Sequence, residues 1–234
     1  MKADVSTLLA VADLRGAIYR LAPLLKKRDE LELDALAVVG DLADPDGDRS
    51  EEYRTLFEAL GASGLRTFWV PGPADAPIVT YLREARNMEV VFPNLRGVHG
   101  TCTLQRHVLF AGMGGEIADD PDAERDERKR LRYPAWEAEY RLKLVGELDQ
   151  YQRVFLFSTP PAHKGLGVGG SQVLAELVNT HRPRVVITGG SERGSELLGN
   201  TLIVAPGSLL AGEYSVVDLR RQQVAEYTLE EPVR

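Results

Sequence analysis

The stretch ALAVVGDLAD, from Ala35 to Asp44, joins a short apolar run to a turn that carries carboxylates. The run is rich in Val and Ala, which is typical of a parallel strand buried on both faces. Thr7–Ala12 (TLLAVA) has the same character and is followed by Asp13-Leu14-Arg15-Gly16. Open α/β sheets bind ligands at the carboxyl ends of their strands. Asp13 and Asp41 are therefore predicted at the site edge of one sheet, where both can ligate a metal.

Three further apolar runs also end in a turn that is polar or rich in Gly and Pro. They are Thr67–Val70 before Pro71–Asp75, Val154–Phe157 before Ser158-Thr159-Pro160-Pro161, and Val185–Thr188 before Gly189-Gly190-Ser191-Glu192. Each run has the length and composition of a buried strand. All five turns are therefore expected at strand ends.

Helical spacing separates these strands, and antiparallel patterns occupy the middle and the end of the chain. Helices are predicted at Gly16–Lys27, Ser50–Leu60 (with Ser50 as N-cap), Ile78–Arg86, Tyr133–Leu148 and Val173–Asn179, and antiparallel strands at Val98–Leu104, Val108–Met113, Thr201–Val204, Tyr214–Val217 and Val224–Tyr227. This order predicts an α/β fold in one domain spanning residues 1–234. The expected architecture is a four-layer αββα sandwich of two mixed sheets flanked by helices.

Composition excludes several classes of function. The net charge of -7 and the pI near 5.3 argue against broad binding to nucleic acid or to an anionic membrane surface. No apolar stretch approaches about 18 residues, and the first residues lack a signal-peptide core, so no membrane association is expected. The single cysteine, Cys102, allows no intramolecular disulfide, and we expect a cytoplasmic protein.

Residues 118–132 (ADDPDAERDERKRLR) form the most charged stretch of the chain. Such a run is usually a solvated loop or an exposed helical turn. The alternative is a mobile arm that covers the site. The sequence leaves both interpretations open.

The five turns resemble, in order, the motifs of the calcineurin-like metallophosphoesterases, which run Asp-x-His, Gly-Asp-x-x-Asp, Gly-Asn-His-Asp/Glu, a lone His, and Gly-His-x-His. Gly40–Asp44 matches the second motif in full, whereas the others keep their position but lose their imidazole and amide ligands. Arg15, Pro73, Ala74, Ser158, Gly190 and Glu192 stand where such ligands are expected. Ala205-Pro206-Gly207-Ser208 resembles the closing Asn-Pro-Gly-Ser turn of the family.

The resemblance implies a two-metal hydrolase site of which only Asp13 and Asp41 remain as metal ligands. A guanidinium cannot ligate a cation and stays protonated. We therefore hypothesise that Arg15 supplies part of the missing positive charge to these carboxylates, and the alternative is that it points to solvent.

Four other residues complete the candidate site. His163, in the loop after the fourth motif, is the candidate general acid or phosphate-binding imidazole. Lys164 is a candidate anion contact, and Glu192 can offer an oxygen where the family has His. Asp75 matches a supporting carboxylate of the family and is a candidate ligand-binding residue, with an N-cap role for the helix that follows Ala76-Pro77 as the alternative.

Three functions fit these motifs. The first is a protein of this fold with a degraded two-metal site and little or no hydrolysis, which binds a phosphate-bearing ligand at the old cleft. The second is an active phosphodiesterase or phosphatase that uses one Mn²⁺, Mg²⁺ or Ca²⁺ at Asp13 and Asp41. The third is a homo-oligomeric scaffold with a vestigial cleft, assembled through surfaces such as the helix carrying Trp136 and Tyr140. No Walker loop, dinucleotide fingerprint, Gly-x-Ser-x-Gly elbow or zinc Cys pair is present.

Overall fold

Two six-stranded mixed sheets form the centre of the protein in the computed structural model, which describes residues 5–190 and 192–229. The strands are β1 (Thr7–Ala12), β2 (Ala35–Val39), β3 (Arg66–Val70), β4 (Leu95–Gly97), β5 (Thr101–Gln105), β6 (Val108–Met113), β7 (Glu116–Ala118), β8 (Arg132–Pro134), β9 (Gln152–Phe157), β10 (Val185–Thr188), β11 (Gly194–Leu198), β12 (Thr201–Ala205), β13 (Glu213–Asp218) and β14 (Gln223–Thr228). The first sheet has the order β14-β13-β1-β2-β3-β4 and the second β11-β12-β10-β9-β6-β5, while β7 and β8 form a separate parallel pair.

Helices lie outside the two sheets. They are α1 (Ile18–Lys26), α2 (Arg49–Ala62), α3 (Ile78–Val91), α4 (Ala135–Leu142) and α5 (Gln172–His181), with short 3-10 turns at Pro73–Asp75, Lys143–Glu147 and Leu209–Ala211. The predicted α/β sandwich of two mixed sheets flanked by helices is confirmed.

Each central strand buries both of its faces, in two different layers. In β1, Leu8 and Ala10 face the layer between the sheets, whereas Leu9 and Val11 face the helices. The parallel partner β2 repeats this alternation, since side chains along a strand point to opposite sides. The uninterrupted apolar runs of the sequence therefore reflect burial on both faces.

The strands before the five turns end within one residue of the predicted position, but three helices differ from the predictions. α3 continues to Val91, five residues beyond the predicted end at Arg86. The N-cap of α2 is Asp48, whose carboxylate accepts the N–H groups of Ser50 and Glu51, so the expectation that Ser50 caps this helix was wrong. The helix predicted over Tyr133–Leu148 ends earlier, at Leu142, and continues as a 3-10 turn.

The aromatic stripe that predicted α4 lies on its outer face. Trp136 and Tyr140 are 60% and 73% exposed, whereas Ala138 and Leu142 are buried. Periodicity therefore identified the helix but not its buried face. Assembly through this stripe stays a prediction.

Strand direction also differs locally. β6 and β12 were both predicted as antiparallel strands. β6 pairs antiparallel with β5 but parallel with β9, and β12 pairs antiparallel with β11 but parallel with β10. β4, which lies outside the predicted run Val98–Leu104, pairs parallel with β3. No helix among the described residues is long and apolar enough to cross a membrane.

The layer between the sheets is centred on the stacked pair Phe68 and Phe110, whose ring centroids lie 3.7 Å apart at an interplanar angle of 7°. We predict that Phe110→Ala lowers the free energy of unfolding by about 3–5 kcal/mol, because loss of the ring leaves a cavity between two rigid sheets that cannot close around it. Urea denaturation followed by circular dichroism measures this loss. Leu104→Ala, at a 46% exposed position on the neighbouring β5, is the control and should cost less than about 0.5 kcal/mol. Equal losses in the two variants would contradict this account of the core.

Candidate functional site

Four of the five motif turns meet around Gly40, at the carboxyl end of β2. A Cβ built on Gly40 would lie 3.5 Å from Asp13 Oδ1, 3.5 Å from Ser158 Cβ and 3.7 Å from Gly72 Cα. A Cβ on Gly189 would likewise lie 3.3 Å from the carbonyl oxygen of Ser158, which brings the fifth turn to the same place. We call the space beside Asp13, Arg15 and Asp41 the cleft. Its placement at the carboxyl ends of parallel strands follows the rule for open α/β sheets.

The first two turns are joined through their backbones. The N–H of Arg15 donates to the carbonyl oxygen of Asp41 over 2.9 Å, and the N–H of Gly16 donates to that of Leu42 over 3.1 Å. Asp13 and Arg15 both have positive φ, at 50° and 44°. Such a conformation costs of order 1–3 kcal/mol for a residue other than Gly and is often found at functional sites. The two turns thus hold Arg15 in an uncommon conformation beside Asp41.

Both carboxylate oxygens of Asp41 accept hydrogen bonds. Arg15 Nη2 donates to Oδ2 over 3.1 Å, and the backbone N–H of Ala74 donates to Oδ1 over 2.9 Å. The Asp41 side chain is 10% exposed, whereas that of Arg15 is 52% exposed. The expected contact is therefore present between Arg15 and Asp41, and about half of the Arg15 side-chain surface still faces solvent.

Asp13 lies close to this ion pair and is partly buried. Burial, together with the nearby Asp41 carboxylate, raises the pKa of Asp13 to about 6, and Arg15 partly opposes that rise. The structure records no hydrogen bond to the Asp13 carboxylate from the described residues. This carboxylate is thus the least compensated group of the cleft.

Asp75 is completely buried beneath the cleft and does not reach its surface. Its carboxylate accepts hydrogen bonds from the N–H groups of Gly72, Leu42 and Ala43 and from the hydroxyl of Tyr53, over 2.7–3.2 Å. It does not cap α3, whose N-cap is Pro77, so the N-cap alternative was wrong. Asp75 can therefore affect a ligand in the cleft only indirectly, by holding the loops that form the cleft.

The remaining motif positions offer few ligands. Ser158 Oγ and Thr159 Oγ1 both donate to the carbonyl oxygen of Gly115, over 2.6 Å and 3.1 Å, where the family has a histidine. Among the residues that the structure describes, no group of three or more His, Cys, Asp or Glu side chains is arranged to hold a metal ion. A two-metal centre needs a bridging carboxylate and further nitrogen and oxygen ligands around each ion. The donor set of the cleft does not fit two metals.

His163 and Lys164 line a different cavity, of about 640 Å³, together with Ser195, Glu196 and Gln222. None of the described residues that line this cavity belongs to the cleft as defined above. His163 Nδ1 lies 2.6 Å from Glu196 Oε2, on β11.

Glu192 is exposed and lines a neighbouring cavity of about 430 Å³ with Gly190 and Glu196. Of the sequence-predicted candidates, the structure brings Asp13, Arg15 and Asp41 into one site, with Asp75 beneath them.

The charged stretch 118–132 is attached to the rest of the protein at several points. Asp119 accepts the hydroxyl of Ser171 and the N–H of Gln172, both over 2.6 Å, at the start of α5. The carbonyl oxygen of Glu127 accepts the N–H of Ile78, and the N–H of Leu131 donates to the carbonyl oxygen of Pro73 over 2.9 Å. The stretch therefore packs along the third turn of the site rather than extending as a free loop.

Sequence analysis overlooked the groups that position the cleft. The N–H of Ala74, which donates to Asp41, belongs to the backbone, so no side chain marks it in the sequence. The hydroxyl that donates to Asp75 belongs to Tyr53, which stands at an apolar position of α2. Arg49 Nη1 donates to the carbonyl oxygens of Ala74 and Ala76. Asp75, the one carboxylate in an otherwise apolar third turn, is the signal in the sequence that points toward this network.

His99 holds the turn at Gly114-Gly115, and the N–H of Gly115 donates to the carbonyl oxygen of Pro71 at the start of the third turn. The Nδ1 of His99 accepts the N–H of Gly114 over 2.9 Å, so Nε2 carries the proton and faces the Tyr133 hydroxyl, which donates to Glu127. Burial, reinforced by the guanidinium groups of Arg141 and Arg125, lowers the pKa of His99 to about 3. The folded protein therefore keeps His99 neutral down to acidic pH.

We predict that this neutral histidine makes folding sensitive to acid. Below pH 6.5 His99 becomes protonated in the unfolded chain but stays neutral in the folded protein. The free energy of unfolding therefore falls by about 1.4 kcal/mol for each unit by which the pH is lowered. His99→Gln should lack this part of the dependence, as measured by urea unfolding between pH 7.5 and pH 4.5. His107→Gln, at an exposed position, is the control and should keep the full dependence. Parallel pH profiles for all three proteins would refute the prediction.

We also predict that Gly72→Ala disrupts the cleft. A Cβ at this position would overlap the backbone nitrogen and the carboxylate of Asp41. We expect a loss of about 1–3 kcal/mol in unfolding free energy, because the backbone must shift to admit the methyl group. Gly146→Ala is the matched control, since the nearest atom to its new methyl group, His181 Cε1, would lie 3.6 Å away. Thermal unfolding compares the two, and an undiminished melting temperature for Gly72→Ala would show that the loop is not packed this closely.

Comparison with solved structures places this geometry in a known group. TT1561, a protein of Thermus thermophilus, is 44% identical with a TM-score of 0.90, over 96% of this chain and 99% of that one. A dimetal phosphatase from Danio rerio is 12% identical with a TM-score of 0.60, over 92% of this chain and 93% of that one. An archaeal phosphodiesterase is 9% identical with a TM-score of 0.55, over 95% and 99% of the two chains. The last two share the fold alone.

No curated protein matches this chain. The model of the family described as metallophosphoesterase, calcineurin superfamily, matches residues 1–229. That match spans all five motif turns, including those that have lost their imidazoles. The chain therefore belongs to the metallophosphoesterases of the calcineurin superfamily.

Proposed function

We propose that this protein is a metallophosphoesterase-fold member whose two-metal centre is degraded, and that its cleft binds a phosphate-bearing ligand with little or no conventional hydrolysis. The observation that carries the proposal is the Arg15–Asp41 ion pair. Asp41 stands where the resembled family has its bridging ligand, and here a guanidinium and the Ala74 N–H occupy its two oxygens. Hydroxide formation at neutral pH needs a properly ligated metal, which this donor set does not provide.

The ligand class follows from the exposed half of Arg15. A guanidinium has five N–H groups in a planar fork that matches phosphate geometry, and a single Nη2 contact to Asp41 is recorded for its side chain. The remaining N–H groups can bind two oxygens of one phosphate. The proposed ligand is therefore a phosphate ester or another small phosphate compound, held in the cleft by Arg15.

One observation favours a second candidate. The carboxylate of Asp13 lies beside Asp41 and lacks a recorded hydrogen bond among the described residues, so a single cation could satisfy it. Such a cation would have oxygen ligands only, which favours Mg²⁺, Mn²⁺ or Ca²⁺ over Zn²⁺. This candidate requires the Arg15 side chain to leave Asp41, and it would make the protein an active phosphodiesterase or phosphatase.

We predict that inorganic phosphate binds the purified protein and that Arg15→Gln weakens this binding by roughly tenfold or more, because the charge-assisted bonds are lost. Isothermal titration calorimetry measures both affinities. Arg220→Gln is the matched control, since Arg220 is exposed in the turn between β13 and β14, at the opposite end of the first sheet. The phosphate affinity of Arg220→Gln should equal that of the parent protein. Equal affinities for the parent and Arg15→Gln would exclude Arg15 as the phosphate-binding group.

The same preparations separate the two candidates. Hydrolysis of bis-p-nitrophenyl phosphate is measured with Mn²⁺, Mg²⁺ or Ca²⁺, for the parent protein and for Asp41→Asn. The degraded-site proposal expects no turnover above that of Asp41→Asn with any of these ions. Metal-dependent turnover that disappears in Asp41→Asn would establish the second candidate instead.

A further inference from the structure

Charge is segregated along the stretch 118–132. Its acidic part, residues 118–127, holds six carboxylates and one arginine, whereas residues 128–132 (RKRLR) hold four cations and no carboxylate. We call residues 128–132 the basic segment. The four cations are Arg128, Lys129, Arg130 and Arg132. A concentration of positive charge is unusual in a chain with a net charge of -7.

The two parts of the stretch are attached at different places. The acidic part is held through Asp119 at the start of α5, where the Asp119 carboxylate accepts the N–H groups of Gln172 and Val173. The basic segment is held through Leu131, whose N–H donates to the carbonyl oxygen of Pro73. The basic segment is thus attached directly to the third turn of the cleft, whereas Glu127, the last acidic residue of the stretch, is attached to Ile78 at the start of α3.

A single peptide group connects the basic segment to the cleft. The oxygen of the Pro73–Ala74 peptide accepts the N–H of Leu131 over 2.9 Å, and its nitrogen donates to Asp41 Oδ1 over 2.9 Å. With standard bond lengths, the Leu131 nitrogen lies no more than about 9 Å from that carboxylate oxygen. Arg130 and Arg132 flank Leu131, so the segment borders the cleft.

Two cations of the basic segment remain available to a ligand. Arg130 and Arg132 both pair with Glu116, at 2.6 Å and 3.4 Å. Arg128 and Lys129 are exposed, and no ion pair to either is recorded among the described residues. Their backbone N–H groups donate to Asp126 Oδ1 over 2.8 Å and 3.1 Å, which fixes the turn that presents them.

We propose that Arg128 and Lys129 form a second phosphate subsite at the rim of the cleft, so that the protein binds ligands with two or more linked phosphates. This inference rests on the proposed function, in which Arg15 holds the first phosphate. The chemistry that the subsite recognises is the oligophosphate chain itself. Exposed Arg and Lys side chains bind phosphate oxygens through charge-assisted hydrogen bonds. These bonds do not depend on the group that is attached to the end of the oligophosphate chain.

The test compares inorganic phosphate with inorganic tripolyphosphate by isothermal titration calorimetry at constant ionic strength. We expect the parent protein to bind tripolyphosphate roughly tenfold more tightly than phosphate, because additional charge-assisted bonds form. The double variant Arg128→Gln/Lys129→Gln should lose most of this preference while its phosphate affinity falls far less. The backbone bonds to Asp126 do not depend on these side chains, so the turn should persist.

The matched control is Arg220→Gln/Arg221→Gln, two consecutive exposed arginines at the opposite end of the first sheet. This control should keep the full preference for tripolyphosphate. A preference that survives in Arg128→Gln/Lys129→Gln, or that falls equally in the control, overturns the second subsite and leaves the Arg15 proposal intact.

Two further outcomes are informative. If neither phosphate nor tripolyphosphate binds, the proposed function fails and the second subsite fails with it. If ATP binds more tightly than phosphate but tripolyphosphate does not, the protein recognises the nucleoside rather than the phosphate chain, and the subsite is overturned. Tripolyphosphate and ATP showing the same preference over phosphate, lost together in Arg128→Gln/Lys129→Gln, would support it.

Discussion

The cleft depends on one buried carboxylate that never reaches its surface. Asp75 accepts backbone N–H groups from Gly72 and Leu42, and so it ties the turn after β3 to the turn after β2. A buried charge is tolerated only when several donors satisfy it, and burial still raises the pKa of Asp75 to about 6. The Ala74 N–H reaches Asp41 because these two turns are held this closely. Asp75 therefore sets the spacing of the two turns that form this side of the cleft.

The Arg15–Asp41 pair explains how this cleft persists without the ligands of a two-metal centre. Carboxylates at a strand edge repel one another and resist desolvation, and a protein must compensate them with donors or cations. Arg15 supplies one permanent charge on the chain itself, at the cost of an uncommon backbone conformation. A guanidinium does not lower the pKa of water as a bound metal ion does, so under the proposed function Arg15 serves binding and not hydrolysis.

The sequence predicted the strand ends well, because β1, β2 and β10 are short apolar runs buried on both faces and each stops at a turn. It predicted that Arg15 meets a carboxylate, because the order of motifs brought them to one edge. It did not predict the partners of Asp75, since three of them are backbone N–H groups that any residue offers. Nor did it place His163, whose contact with Glu196 depends on the path of a long loop and on β11, which the alternation of apolar residues did not reveal.

The Pro73–Ala74 peptide links these observations. Pro73 and Ala74 replace an amide and an imidazole of the resembled family, and neither offers a side-chain ligand. The peptide between them nevertheless contacts both Asp41 and the charged stretch, through its nitrogen and its oxygen. A backbone group of this kind tolerates substitution of the side chains around it, because its hydrogen bonds depend on the path of the chain. The third turn thus forms a structural bridge between the cleft and the basic segment.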